Sequence, residues 1–270
     1  MQAIDRSSSA HLRVKTRLRY ELKYLLRREQ YQAVAEELTQ YMVPDPNGDA
    51  LGGYRIASVY FDTPDLRSFW DKLDGHRERR KIRVRAYGNQ PIGPDTPVYL
   101  EVKHRVDQLM GKRRIQLPYA QAMDFDRLDQ AYQATADPSE RALLGEICWL
   151  YYTLQLHPTC VVTYHRRAFQ GNEYYPDLRI TFDTDLKGRT HDLSLLSTGH
   201  AQNHYFLPPD FCIMEVKVNH NVPYWLAQLL SRNRCTFQRI SKYCLALQQS
   251  RRIAGRRRML IYPGADGASP

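Results

Sequence analysis

Lysines, arginines and glutamates fall on alternate positions in several strand-like stretches of this sequence, and that spacing places them on common faces. Side chains two apart on a strand point the same way. In Lys81-Ile-Arg-Val-Arg-Ala-Tyr the cations Lys81, Arg83 and Arg85 share one face, with Ile82, Val84 and Ala86 behind them. In Val98-Tyr-Leu-Glu-Val-Lys-His-Arg, Tyr99, Glu101, Lys103 and Arg105 align against Val98, Leu100 and Val102. Glu215 and Lys217 oppose Met214, Val216 and Val218, and Glu21 stands beside Lys23 in the same manner. Lys112 pairs in parity with Arg114, Tyr164 with Arg166, and Arg179 sits between Leu178 and Ile180. Such faces can grip a multiply charged anion. Their carboxylates, Glu101, Glu215 and Glu21, add the hard oxygen ligands through which Mg²⁺ is shared between protein and phosphate.

An antiparallel sheet also keeps a polar face in water, and a same-face Glu–Lys pair can be a plain surface ion pair. For Glu21 alone the ion pair is the simpler reading. Yet at least five strands carry Arg or Lys at face positions, and the Glu-Val-Lys triplet occurs at both Glu101 and Glu215. Cations crowded on one face repel unless an anion sits among them. A barrel with a charged interior removes exposed edges and makes a channel for that anion.

The charge of the whole chain agrees. Its 39 lysines and arginines exceed 29 acidic residues, for a net charge of +10 over 270 residues. That excess points to a polyanionic partner. Five cysteines, an odd number with no Cys-x-x-Cys pair, argue against a disulfide framework and a zinc site and for a reducing compartment. No stretch approaches the roughly 20 apolar residues that span a bilayer, and the first residues lack the apolar segment of a secretion signal. A cytoplasmic protein is expected. The nine histidines show no metal-ligand spacing.

These faces need strands to carry them. Alternation predicts a first strand from Thr16, then strands at 54–61, 78–87, 98–106, 111–117, 159–169, 178–184 and 211–218. Helical spacing covers 28–42, 120–132, 138–154, 223–233 and 241–249, the first ended by Pro44-Asp-Pro-Asn-Gly. Many short strands with helices between them predict an α+β fold built on an antiparallel sheet or barrel. Residues 1–15 read as a flexible tail, 16–249 as one domain, and 250–270, with Arg251, Arg252 and Arg256 to Arg258, as a basic tail.

Eight segments carry a resemblance. They are Arg19-Tyr-Glu-Leu-Lys-Tyr, Tyr60-Phe-Asp-Thr-Pro, Lys81-Ile-Arg-Val-Arg-Ala-Tyr, Glu101-Val-Lys, Tyr164-His-Arg-Arg-Ala-Phe, Leu178-Arg-Ile-Thr-Phe-Asp-Thr, Met214-Glu-Val-Lys and Ser241-Lys-Tyr. In that order they resemble the VTC domain, the polyphosphate polymerase domain of vacuolar transporter chaperone type, within the triphosphate tunnel metalloenzymes. The resemblance runs from about Arg17 to Leu247. It implies an eight-stranded tunnel, ATP and inorganic polyphosphate as ligands, and Mn²⁺ or Mg²⁺ as cofactor. By the same resemblance Lys23, Arg83, Arg85, Lys103, Arg166, Arg179 and Lys217 line the tunnel and grip phosphates, and Lys242 caps one end. Lys112 and Arg114 add to the grip, Tyr164 touches phosphate or nucleotide, and Glu215 is the main metal ligand. Any membrane partner would be a separate protein.

One departure stands out. Tunnel triphosphatases and cyclases of this fold open with Glu-x-Glu-x-Lys, whereas here Arg19 takes the first glutamate's place before Glu21 and Lys23. That favours the polymerase branch over a simple hydrolase or cyclase. The expected reaction moves the terminal phosphoryl group of ATP onto a phosphate or polyphosphate end, mainly by positioning and charge neutralisation. Two other readings of the same tunnel are a metal-dependent tripolyphosphatase or nucleoside triphosphatase and a non-catalytic polyphosphate or nucleotide sensor. Nucleic acid is not expected: the cationic faces are poor in aromatics apart from Tyr99 and Tyr164, and Glu101 and Glu215 would repel a phosphodiester backbone.

Overall fold

Alternating apolar and polar residues give strands along most of the chain in the computed structural model, which describes residues 19–107, 109–196 and 203–250. The two tails read from the sequence lie outside the described residues, apart from Ser250. Strand β1 (Tyr20–Arg27) leads into α1 (Arg28–Leu38), β2 (Met42–Pro44), β3 (Gly53–Asp62), α2 (Arg67–Leu73), β4 (Glu78–Tyr87), β5 (Pro97–Val106) and β6 (Leu109–Pro118). Three helices follow, α3 (Tyr119–Met123), α4 (Phe125–Ala134) and α5 (Pro138–Leu154). The rest is β7 (His157–Gly171), β8 (Arg179–Arg189), β9 (His204–Tyr205), β10 (Phe211–Val218), α6 (Tyr224–Arg232), β11 (Thr236–Phe237) and α7 (Lys242–Gln249). Among the described residues no helix is long and apolar enough to cross a membrane.

Eight strands follow one another in the order β1-β10-β8-β7-β3-β4-β5-β6, every neighbouring pair antiparallel. The two ends of this sheet approach each other, and one bridge, Arg19 with Met110, joins them. The α+β, barrel-like architecture is therefore as expected, with a difference: the ladder does not close, and β6 and β1 leave a seam. Along its second half β1 pairs instead with β11, at Tyr24 and Leu25.

Two apolar layers wrap the outside. On one side α3, α4 and α5 cover the outer residues of β4, β5 and β6, among them Val84, Leu100, Val102 and Ile115. On the other, α1 and α6 cover Ile180, Phe182, Met214 and Val216. Each fully buried Leu, Ile or Phe here contributes roughly 1.5–3 kcal/mol. A third apolar cluster lies within the barrel: Tyr243, Cys244 and Leu247 of α7 pack on Ile56, Cys160, Val162 and Ile213, so this helix fills part of one end.

Local chemistry accounts for the departures from periodicity. A single helix over 120–132 is divided at Asp124, whose backbone is extended and whose carboxylate accepts from the Arg127 amide. An N-cap aspartate starts a helix more readily than it continues one. The first helix stops at Leu38, before Met42, because Met42–Pro44 forms a ladder with β7. α7 begins one residue later than the spacing suggests, with the Ser241 hydroxyl accepting from the Cys244 amide as N-cap.

Candidate functional site

The inward faces of all eight strands, together with the start of α7, enclose a cavity of about 1010 Å³. Sixteen lysines and arginines line it against three carboxylates, which makes the bore cationic through its whole length. Lys23, Arg83, Arg85, Lys103, Lys112, Arg114, Arg166, Arg179, Lys217, Lys242, Tyr164, Glu21 and Glu215 all line it. Glu101 is brought to the same wall but lies behind the lining, fully buried beneath Arg83 and Lys112.

The charges are wired in two ways. Around Glu215 they are partly offset by carboxylates. Its carboxylate meets Lys242 at 2.7 Å, Lys217 at 2.9 Å, and Lys23 and Arg166 at 3.4 Å. Burial alone raises a carboxyl pKa, yet these cations outweigh it and hold Glu215 well below the ordinary range. Asp183 takes a two-pronged bond from Arg166, at 2.6 and 2.7 Å, and a third contact from Lys242 at 2.5 Å. Such forked pairs fix a guanidinium in both position and plane. Glu21 accepts from Lys23 at 3.1 Å and Lys103 at 3.2 Å. Despite Glu21, burial pulls the Lys103 ammonium down to about 7, with Lys23 adding like-charge repulsion.

Across the bore the cations rest on hydroxyls and rings instead. Arg85 donates to the Ser58 hydroxyl at 3.0 Å and the Tyr164 hydroxyl at 3.1 Å. Arg83 keeps one carboxylate, Glu101 at 2.7 Å, and also reaches the Tyr60 hydroxyl at 3.1 Å. The Arg114 guanidinium lies 4.2 Å over the Tyr99 ring. Neither Arg85 nor Arg114 has a carboxylate partner among the described residues. A buried guanidinium with only neutral partners keeps an unmet demand for an anion.

The Mn²⁺ or Mg²⁺ that the resemblance implies can be tested against these oxygens. Among the described residues no three carboxylate, histidine or cysteine side chains gather into a metal cage. Glu21 and Glu215 come closest to a site, since the Lys23 ammonium bridges them at 3.1 and 3.4 Å. Beside them Thr181 pairs in register with Glu215, and its buried hydroxyl has no hydrogen-bond partner among the described residues. Two carboxylates and a spare hydroxyl suit Mg²⁺ or Mn²⁺ completed by phosphate oxygens and water. Glu101 offers less, because its two oxygens are already engaged by Arg83 and Lys112.

Parity missed some members of the site. Asp183 shares the face of Arg179, two strand steps away at four residues' distance, and that signal was present in the sequence. Asp45 was not legible: it lies in a turn, and only the tertiary fold brings it within 2.5 Å of Arg179. Tyr54, which accepts from Arg179 at 3.2 Å, and Tyr60 lie on the inward face of β3, a strand with no inward cation to mark it.

The family model of the VTC domain matches residues 18–251. Similar solved structures include the PH1819 protein of Pyrococcus horikoshii OT3, with 14% identity and a TM-score of 0.44 over 86% of this chain and 99% of that one. The Hippeastrum protein HpAC1, described as a candidate adenylyl cyclase with dominant triphosphatase activity, has 13% identity and a TM-score of 0.43 over 86% of this chain and 95% of its own. A candidate adenylate cyclase from Bacillus halodurans has 12% identity and a TM-score of 0.45, over 83% and 93%. Comparison with curated protein sequences gave no match.

Proposed function

The chain belongs to the VTC domain family, and on that premise we propose that it is a polyphosphate polymerase using ATP, its bore acting as a triphosphate tunnel. The observation that carries the reading is the cationic bore itself, lined by sixteen Lys and Arg side chains, with seven of its eight strands contributing at least one. A chain of phosphates is an anion with charge along its whole length, and this lining meets charge along its whole length.

The residues divide the work. Arg83, Arg85 and Arg166 are held by buried or part-buried hydrogen bonds, so they meet the phosphoryl oxygens already oriented, and their charge stabilises what develops there during transfer. Lys242, Lys217 and Lys23 surround Glu215 and can swing their ammonium groups from carboxylate to phosphate. An oxygen of the acceptor phosphate attacks the terminal phosphorus of ATP, the bond to the bridging oxygen breaks, and ADP carries that oxygen away. Glu21 and Glu215 would hold Mg²⁺ or Mn²⁺, which neutralises phosphate charge. No nucleophilic side chain is required.

The test is purified protein with ATP and Mn²⁺, its products separated by gel for long chains and assayed for free phosphate. Long chains in the unaltered protein, lost on Glu215→Gln with the fold retained by circular dichroism, are the expected result. Free phosphate without chains would replace the polymerase with a tripolyphosphatase. Tight triphosphate binding with neither product would replace it with a sensor.

A further inference from the structure

The segments Tyr60-Phe-Asp-Thr-Pro and Ser241-Lys-Tyr lie far apart in the chain and meet at one hydrogen bond. The Tyr243 hydroxyl donates to Asp62 Oδ2 at 2.5 Å, across 181 residues of sequence. Asp62 ends β3 and is wholly buried. Its carboxylate also accepts from the backbone amides of Thr63 at 2.9 Å, Ser68 at 2.8 Å and Phe69 at 3.2 Å. The last two amides belong to the first turn of α2, where a carboxylate satisfies donors that the helix itself cannot. A buried carboxylate held by four donors is a fixed point, and it ties β3, α2 and α7 together.

On α7, Tyr243 directly follows Lys242, whose ammonium reaches Asp183 at 2.5 Å and Glu215 at 2.7 Å. Farther along the helix, Cys244 and Leu247 pack among apolar side chains. Apolar contact is non-directional, so it leaves the rotation of a helix about its axis loosely set. The ion pairs of Lys242 cannot set it either once a phosphate competes with Asp183 and Glu215 for the ammonium. The Tyr243–Asp62 bond stands apart from that competition. Burial, joined by Asp62, pushes the Tyr243 phenol far above its ordinary range, so it remains a donor. Its ring is braced as well, 5.2 Å from that of Tyr60, with the Lys81 ammonium 4.8 Å over its face.

We propose that Asp62 and Tyr243 are positioning residues, which hold α7 seated in the barrel and so keep Lys242 aimed at the bore while a phosphate displaces its carboxylate partners. Successive residues of an α-helix are set about 100° apart. A rotation that released Tyr243 would therefore swing Lys242 through the same angle, away from Glu215 and from any ligand beside it. Neither positioning residue has to touch phosphorus or exchange a proton. The inference rests on the phosphate-binding reading of the bore and adds to it what keeps one of its cations in place.

The experiment measures binding of inorganic tripolyphosphate by calorimetry to the full chain, to Tyr243→Phe, to Lys242→Gln and to the double variant. Phenylalanine keeps the ring against Tyr60 and removes only the donor. Tyr243→Phe should weaken tripolyphosphate on the order of tenfold, the lower end of what a hydrogen bond to a charged group is worth. In the Lys242→Gln background the same change should alter affinity by less than about twofold, because the group being positioned is gone. A tyrosine that only supports the fold would lower Tm and leave affinity unchanged, or would weaken binding alike in both backgrounds. Either result would overturn the proposal. Salt dependence gives a second reading that needs no Lys242 variant. With one cation fewer on the ligand, Tyr243→Phe should lose affinity less steeply with added salt than the unaltered protein, and an equal slope would count against the positioning role. If the unaltered protein bound no tripolyphosphate, the phosphate-binding reading itself would fall, and this role with it.

Discussion

The wall made by β1, β10 and β8 and the wall made by β4 and β6 face each other across one bore, yet they solve the problem of buried charge differently. The first carries its own counter-charge: Glu215, Asp183 and Glu21 share Lys23, Lys103, Lys217, Lys242 and Arg166 among them. The second leaves Arg85 on two hydroxyls and Arg114 on a tyrosine ring. The difference separates a wall whose cations already share carboxylates of the protein from a wall that holds guanidinium groups without one. Removing a carboxylate from the first should cost stability, and removing a cation from the second should cost binding.

The largest expected effect breaks the first wall. Asp183→Asn leaves Arg166 and Lys242 facing each other in the interior with one carboxylate fewer, and breaking a buried pair costs about 3–5 kcal/mol. Thermal unfolding should show a large fall in Tm, partly restored by tripolyphosphate, which supplies the missing negative charge. A fall no larger than that of a surface substitution would remove the distinction between the walls. Next comes Arg85→Met on the second wall. Tripolyphosphate affinity should drop by on the order of 2 kcal/mol, about thirtyfold, with Tm changed far less than by Asp183→Asn. The reverse pattern, a stability loss with binding intact, would make Arg85 a structural residue.

The smallest effect is spectroscopic. Burial and Glu101 push the Tyr87 phenol up, but Arg85, Lys112 and Arg83 outweigh them and bring it down to about 8. From β3 and β5 the rings of Tyr54 and Tyr99 face it as well. The folded state thus favours the phenolate, so this group adds stability as pH rises through 8 towards the ordinary tyrosine value and adds none below. An ultraviolet titration of the free protein should show one tyrosine ionising near pH 8, absent in Tyr87→Phe. Tripolyphosphate should move that midpoint upwards, since it competes for the same cations. A midpoint at the ordinary value in the free protein would mean that this wall has no cationic surplus.

Much of this arrangement was legible because the strand period is two. Parity alone put Lys81, Arg83 and Arg85 on one face and Glu215 with Lys217 on another, and the rolled sheet turns these faces inward. What parity cannot give is register. That Lys23 lies opposite Glu215, or Arg83 opposite Glu101, depends on which residues of distant strands align, and no local pattern encodes that. Short elements were equally opaque. The two-residue strands β9 and β11 are too brief for a period, and α7 reads as an ordinary amphipathic helix although it enters the barrel and presents Lys242 to Glu215. The turn holding Asp45 was visible as a turn, but its reach to Arg179 belongs to the tertiary fold alone.

The seam between β6 and β1 bears on the girth of the bore. A cylinder laced by hydrogen bonds around its full circumference cannot widen without tearing a ladder. Here the lacing at the seam is a pair of 3.3 Å bonds between Arg19 and Met110, worth roughly 1–3 kcal/mol together, helped by the Lys103–Glu21 ion pair that crosses the same gap. The circumference is therefore set at one weak stitch rather than by the whole weave, and a bulky occupant of the bore would meet a wall with a single defined line along which to yield.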